Sequence, residues 1–152
     1  MNIPIRLIDF LNQHKVRYEI VHHPLAYTAQ ELAAIEGVPG REHAKVIVVK
    51  LPAGLALAVL PADRRIDLGR LGATGLAGEA EFREVFPDCE LGTMPPFGLL
   101  YGVATYVDRS LAENTRIVFE AGTHSDAIKM SYADYERLAQ PTLADFTVKW
   151  NG

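Results

Sequence analysis

The 152 residues suit one domain, and a chain of this size buries roughly 70% of the surface it would expose unfolded, so its fold requires neither metal nor disulfide. Its 49% hydrophobic and 22% charged residues are an ordinary globular balance, and the formal net charge of −4 excludes a broad electrostatic grip on nucleic acid. The single cysteine, Cys89, excludes an intramolecular disulfide, and the opening Met1-Asn2-Ile3-Pro4 lacks the features of a secretory signal, so the cytoplasm is the expected compartment.

Pro4 fits a first helical position, and Leu7, Ile8 and Leu11 follow with helical spacing, which predicts a helix over 4–14. Val16, Tyr18 and Ile20 alternate with Arg17 and Glu19 as a strand does. Thr28-Ala29-Gln30-Glu31 has the form of a capping box and predicts a helix ending at Gly37, with Pro39 beyond it. The apolar runs 44–50 and 55–60 flank Pro52-Ala53-Gly54 and read as a hairpin, and both are far too short to span a membrane. Helical segments follow near 67–72 and 79–86. Residues 87–98, with two glycines and three prolines, form a shaped loop. Strands are expected at 103–107, 115–120 and 126–130. A last helix opens at Ser131 and stops at Pro141, leaving the final eleven residues as a loosely held tail. Strands mixed with helices and a hairpin predict a single α/β domain on a mixed sheet.

Several catalytic plans are missing from the sequence. It has no Walker loop, G-x-G-x-x-G, H-E-x-x-H, cysteine pair or G-x-S-x-G elbow, so neither a metal nor an organic cofactor is expected. Of His14, His22, His23, His43 and His124, the adjacent His22 and His23 would point to opposite faces if extended, which does not suit a shared metal. Acidic neighbours around Cys89 discourage a thiolate, so an inert cysteine is expected.

Three segments carry chemistry. Lys45 shares a predicted strand face with Ile47 and Val49, opposite Val46, Val48 and Lys50. It either snorkels into solvent from the strand end or binds a phosphate or carboxylate at a cleft mouth. The loop Gly92-Thr93-Met94-Pro95-Pro96-Phe97-Gly98 is either an ordinary rigid turn or a scaffold presenting backbone amides to a developing oxyanion. Ala121-Gly122-Thr123-His124-Ser125 is either a hairpin turn or part of the same site.

Taken together, His23-Pro24 with Tyr27-Thr28-Ala29, then Ala44-Lys45-Val46, the loop 92–98 and Gly122-Thr123-His124 resemble the YbaK family over about residues 15–140. That family includes free-standing aminoacyl-tRNA deacylases and the editing insertion of bacterial prolyl-tRNA synthetase. The resemblance implies an α/β fold with a mixed, partly barrel-like sheet and a cleft beside the glycine-proline loop. It implies hydrolysis of the ester at the 3′ end of mischarged tRNA, without a cofactor, and with assistance from the terminal hydroxyl of the tRNA itself. The family lysine matches Lys45. Its pattern of Gly, three residues and Pro matches Gly92 to Pro96, with Pro95 as a second alignment, and its Gly-x-His matches Gly122 and His124. Lys45, Gly92 and His124 are thus the expected catalytic residues. Tyr27, Thr28, Val46, Pro95, Pro96, Phe97, Gly98, Gly122 and Thr123 are the expected substrate contacts. The branch that clears alanine from proline tRNA tends to follow the lysine with Asn. Here Val46 follows it, so that specificity does not transfer. A binding module without turnover, or a regulator that associates with a synthetase, are the rival readings. The acylated 3′ end of tRNA is the expected partner, a synthetase a further one, and a membrane is not expected.

Overall fold

A computed structural model describes residues 2–24 and 37–150. The helix expected to start at Thr28 lies outside the described residues. Helix α1 (Ile5–Gln13) starts one residue later than its proline suggested, with Pro4 as its N-cap. It buries Leu7 and Leu11, one turn apart, and ends where Lys15 turns left-handed at φ 55°. Strand β1 (Tyr18–His22) is displaced two residues from the expected run. The predicted hairpin forms as β2 (Ala44–Leu51) and β3 (Gly54–Pro61), in unbroken antiparallel register from Ala44↔Pro61 to Leu51↔Gly54.

Short elements follow: β4 (Arg64–Ile66), α2 (Leu68–Leu71), β5 (Gly75–Leu76) and α3 (Glu79–Val85). Asp67 caps α2 by accepting from the Arg70 amide at 3.2 Å, and Gly72 closes it left-handed. The second half contributes β6 (Ala104–Asp108), β7 (Arg116–Thr123), β8 (Asp126–Ser131) and α4 (Tyr132–Ala139), with β9 (Thr142–Ala144) and β10 (Thr147–Lys149) last. Ser131 caps α4 through the Asp134 amide at 3.1 Å.

The strands form three sheets and do not close into a barrel. A mixed sheet runs β5-β2-β3-β6-β9, an antiparallel one β1-β8-β7, and β10 pairs with β4. A parallel bridge between His43 and Val118 brings the edges of the two larger sheets together. The main core lies between them and the helices, and contains Leu7, Leu11, Val48, Phe82, Phe97, Phe119, Ile128 and Tyr135. A second cluster, around Val49, Ala58, Leu60 and Phe146, covers the other face of the mixed sheet. A small third cluster joins Val38, Val118 and Ala127. Among the described residues no helix is long and apolar enough to cross a membrane.

The expectation of a loose tail is overturned. Phe146 is fully buried, β9 pairs with β6, and β10 pairs with β4. The buried Asp108 carboxylate pins the segment: it accepts from the Phe146 amide at 2.8 Å, the Thr147 hydroxyl at 3.0 Å, and both the amide and hydroxyl of Ser110. Burial alone would raise the Asp108 pKa, but these hydrogen bonds outweigh it and hold the group below the usual range.

Candidate active site

The site is built around an open strand edge. One edge of β2 pairs along its length with β3. The other is used at its start by the His43–Val118 bridge and near its end by β5 and the Ala77 amide, which donates to Val48 O at 3.0 Å. Between these contacts the edge is open among the described residues. The two faces of β2 diverge there. Ala44, Val46 and Val48 turn toward the main core, whereas Ile47 and Val49 belong to the second cluster. Strict alternation places Lys45 with Ile47 and Val49, as expected from the sequence, and away from Val46.

On the Val46 side lies an apolar cleft of about 340 Å³, lined by Val46, Val48, Leu76, Phe82, Gly92 and Met94 among others. A larger neighbouring cavity of about 480 Å³ shares Phe82 and Leu91 with it, but Lys45, Gly92 and His124 do not line that cavity. The smaller cleft is the candidate site: Val46 and Gly92 line it, whereas Lys45 and His124 line neither.

Gly92 reaches this cleft through a tight turn. The Thr93 amide donates to Glu90 O at 3.1 Å, and Gly92 has φ +81°. That is the third position of a type II turn, which demands a positive φ. A Cβ on Gly92 would meet nothing within 4 Å. Neither the Leu91 nor the Gly92 N–H is taken by a described residue, so two neighbouring donors at the tip are available to a ligand.

The turn is laced to the segment at the end of β7. The Glu90 amide donates to Gly122 O at 2.9 Å, the Gly122 amide to Thr93 O at 2.8 Å, and the His124 amide to the Glu90 carboxylate at 2.7 Å. The structure therefore brings the glycine-proline loop and the Gly-x-His element together. The His124 ring stands 3.9 Å from the Glu120 carboxylate. Ile117, Phe119 and Ala121 of β7 face the main core and Val118 the third cluster, so Glu120 stands on the outer side. By alternation from the bridge at His43 and Val118, Lys45 and Glu120 fall on the same side of their respective strands as the bridged pair. Lys45 is half-buried and forms no ion pair or hydrogen bond with a described residue. Glu120 and His124 thus approach each other beside the end of β7, and Val46 and Gly92 line the apolar cleft.

Other expected contacts fall elsewhere. Phe97 is fully buried and packs edge-on against Phe10, Phe119 and Tyr135. Gly98 is buried where a Cβ would lie 2.4 Å from Val103 O. Gly122 is buried under Pro4, whose Cδ would sit 2.4 Å from an added Cβ. Thr123 is 1% exposed and donates to Asp126 at 2.6 Å. These four are packing residues in this structure and not part of the cleft surface. Pro95 and Pro96 are also buried, and Pro96 O accepts from the Tyr135 hydroxyl at 2.8 Å. Tyr27 and Thr28 lie outside the described residues.

Glu90 and Glu120 were missed by the sequence reading. Nothing in a lone acidic residue beside a turn marks it as a brace or as a histidine's neighbour. Asp126 was missed too; it holds both Thr123 and the His22 ring. The Cys89 thiol is pushed up to about 11, chiefly by burial, with Asp88 adding a smaller push, which suits an inert residue. Burial lowers His43 to about 4, helped by the nearby charge of His23. Among the described residues no three His, Cys, Asp or Glu side chains cluster as metal ligands would.

The aminoacyl-tRNA editing domain model matches residues 23–138. The multifunctional Ser/Thr-tRNA deacylase ProXp-y of Escherichia coli (strain K12) is 31% identical over 93% of this chain and 90% of its own length. The prolyl-tRNA editing protein ProX of Acetoanaerobium sticklandii is 24% identical, with 88% of each chain covered. A solved structure described as a candidate trans-editing enzyme for prolyl tRNA synthetase superposes with TM-score 0.81 at 23% identity, covering 96% of each chain, and that of hypothetical protein APE2540 with TM-score 0.83 at 21% identity, covering 94% of this chain and 99% of that one. With its match spanning the bridge, the turn and the Gly-x-His element, this chain belongs to the aminoacyl-tRNA editing domain family.

Proposed function

We propose that this protein hydrolyses the ester between a wrongly attached amino acid and the 3′ end of tRNA, acting in trans in the cytoplasm on acyl-tRNA released by a synthetase. The family match carries this reading, and the free amides at the Gly92 turn support a mechanism. Water attacks the ester carbonyl carbon, and the negative charge moves to the carbonyl oxygen. The Leu91 and Gly92 N–H groups stabilise that oxyanion. The C–O bond to the ribose then breaks, the ribose oxygen takes a proton, and free amino acid and tRNA leave. Lys45 anchors the terminal phosphate, and His124, set by Glu90 and Glu120, positions the water. The ester has a good leaving group, so positioning and oxyanion stabilisation suffice.

The acyl group is that of serine or threonine. The 31% identity to a Ser/Thr-tRNA deacylase supports this assignment, and Val46, where the alanine-clearing branch tends to carry Asn, speaks only against carrying over the alanine specificity. Purified protein tested against tRNAs charged with Ser, Thr, Ala, Cys and Pro should release Ser or Thr fastest. Release of none would refute the deacylase reading, and preference for Ala would refute the acyl assignment.

A further inference from the structure

The outer side of the β1-β8-β7 sheet has a second feature. At the end away from His124 is a depression of about 320 Å³ lined by Arg17, Tyr18, Glu19, Arg116, Lys129 and Met130. Strand register sets its cations in two rows. Arg116 pairs with Ser131, and Lys129 stands between Glu19 and Val118. Arg17, two residues before Glu19, falls on the same side. Arg116 is held by Glu42 at 2.9 Å. Arg17 and Lys129 form no ion pair or hydrogen bond with a described residue, although Glu19 lies directly across from Lys129. Two cations without an ion pair among the described residues, beside a braced third, give this chain of net charge −4 a local contact for a polyanion.

We propose that Arg17, Lys129 and Arg116 bind backbone phosphates of the tRNA acceptor stem. This rests on the deacylase reading for its ligand, but its test does not need turnover.

The experiment measures binding of fluorescently labelled, unacylated tRNA over a range of salt concentrations. Substituting both Arg17→Gln and Lys129→Gln removes two phosphate contacts without touching the cleft. The slope of log affinity against log salt should become shallower by about two, and affinity should fall about two- to fivefold for each residue. Glu19→Gln should move affinity the other way, because it removes a repelling charge, an effect that a merely structural residue would not give. A double variant with the wild-type slope and affinity would overturn the proposal. If wild-type protein binds tRNA through this patch but hydrolyses no acyl-tRNA, the patch stands and the deacylase reading falls.

Discussion

Substitution at Gly92 tests whether its turn is catalytic or ordinary. Gly92 and Gly72 have φ of +81° and +75°, and a Cβ built at either meets nothing within 4 Å. Gly72 closes α2 and does not line the cleft. An alanine at either position therefore carries the cost of a left-handed backbone, about 1–2 kcal/mol, without a clash. In a chain of 152 residues that lowers Tm by about 2–8 °C. The two variants should melt alike and differ in activity. Gly92 lines the cleft, and under the proposed mechanism a methyl there crowds the carbonyl that the Leu91 and Gly92 amides would hold. Losing one oxyanion donor costs about 2.7–4 kcal/mol, roughly a hundred- to thousandfold in rate. Single-turnover deacylation with enzyme in excess, beside thermal melts, measures both. Gly92→Ala hydrolysing as fast as Gly72→Ala would show that the loop is only a turn, and the oxyanion assignment would have to move.

Lys45→Ala should lower kcat/KM roughly ten- to hundredfold, as expected for a lost contact between a cation and a phosphate, with melting little changed because Lys45 holds no described partner; an unchanged rate would leave Lys45 as a solvated strand-end residue. His43 should make stability depend on pH. Its folded pKa, about 4, lies below the unfolded value of 6.5, so the unfolded chain binds the extra proton between them; this contribution is complete above 6.5 and is lost as pH falls toward 4, by roughly 3 kcal/mol. Urea unfolding of wild type and His43→Gln across that window should show a limb that flattens in the variant. Asp108→Ala strips the anchor from Ser110, Phe146 and Thr147 and should cost about 2–5 kcal/mol, with early proteolysis beyond residue 141; a tail that stays protected would mean that β9 and β10 hold it alone.

Much of the fold was legible because its elements carry local signals. The β2–β3 hairpin is two apolar runs around a turn, and α2, α3 and α4 fall at the helical segments expected near 67–72, near 79–86 and between Ser131 and Pro141. The last eleven residues were misread because their signal is not local. Thr142–Ala144 and Thr147–Lys149 are too short to show a period, and what fixes them is a carboxylate thirty-eight residues before Phe146. Similarly, the glycines of the motifs looked alike in sequence yet do different work. Gly92 has open space beside it and needs its positive φ, whereas Gly98 and Gly122 are glycines because Val103 and Pro4 leave no room for a side chain.

The site was legible as segments but not as a surface. Lys45 and Val46 are neighbours in the chain, and a motif naturally treats them as one unit. A strand separates them, because successive side chains point to opposite faces. Val46 lines the apolar cleft, and Lys45 falls on the opposite face of β2. The two positions can therefore vary for different reasons. Under the proposed mechanism, a change at 46 would alter what the cleft accepts without disturbing the charge proposed to hold the nucleic acid end. A change at 45 would alter that charge without reshaping the cleft. In our reading this is why a chain can keep the family lysine and yet carry Val where the alanine-clearing branch tends to carry Asn. Among the described residues the middle of the β2 edge has no strand partner, so under the proposed mechanism a substrate entering there would present its acyl group to one face of the strand and its phosphate to the other.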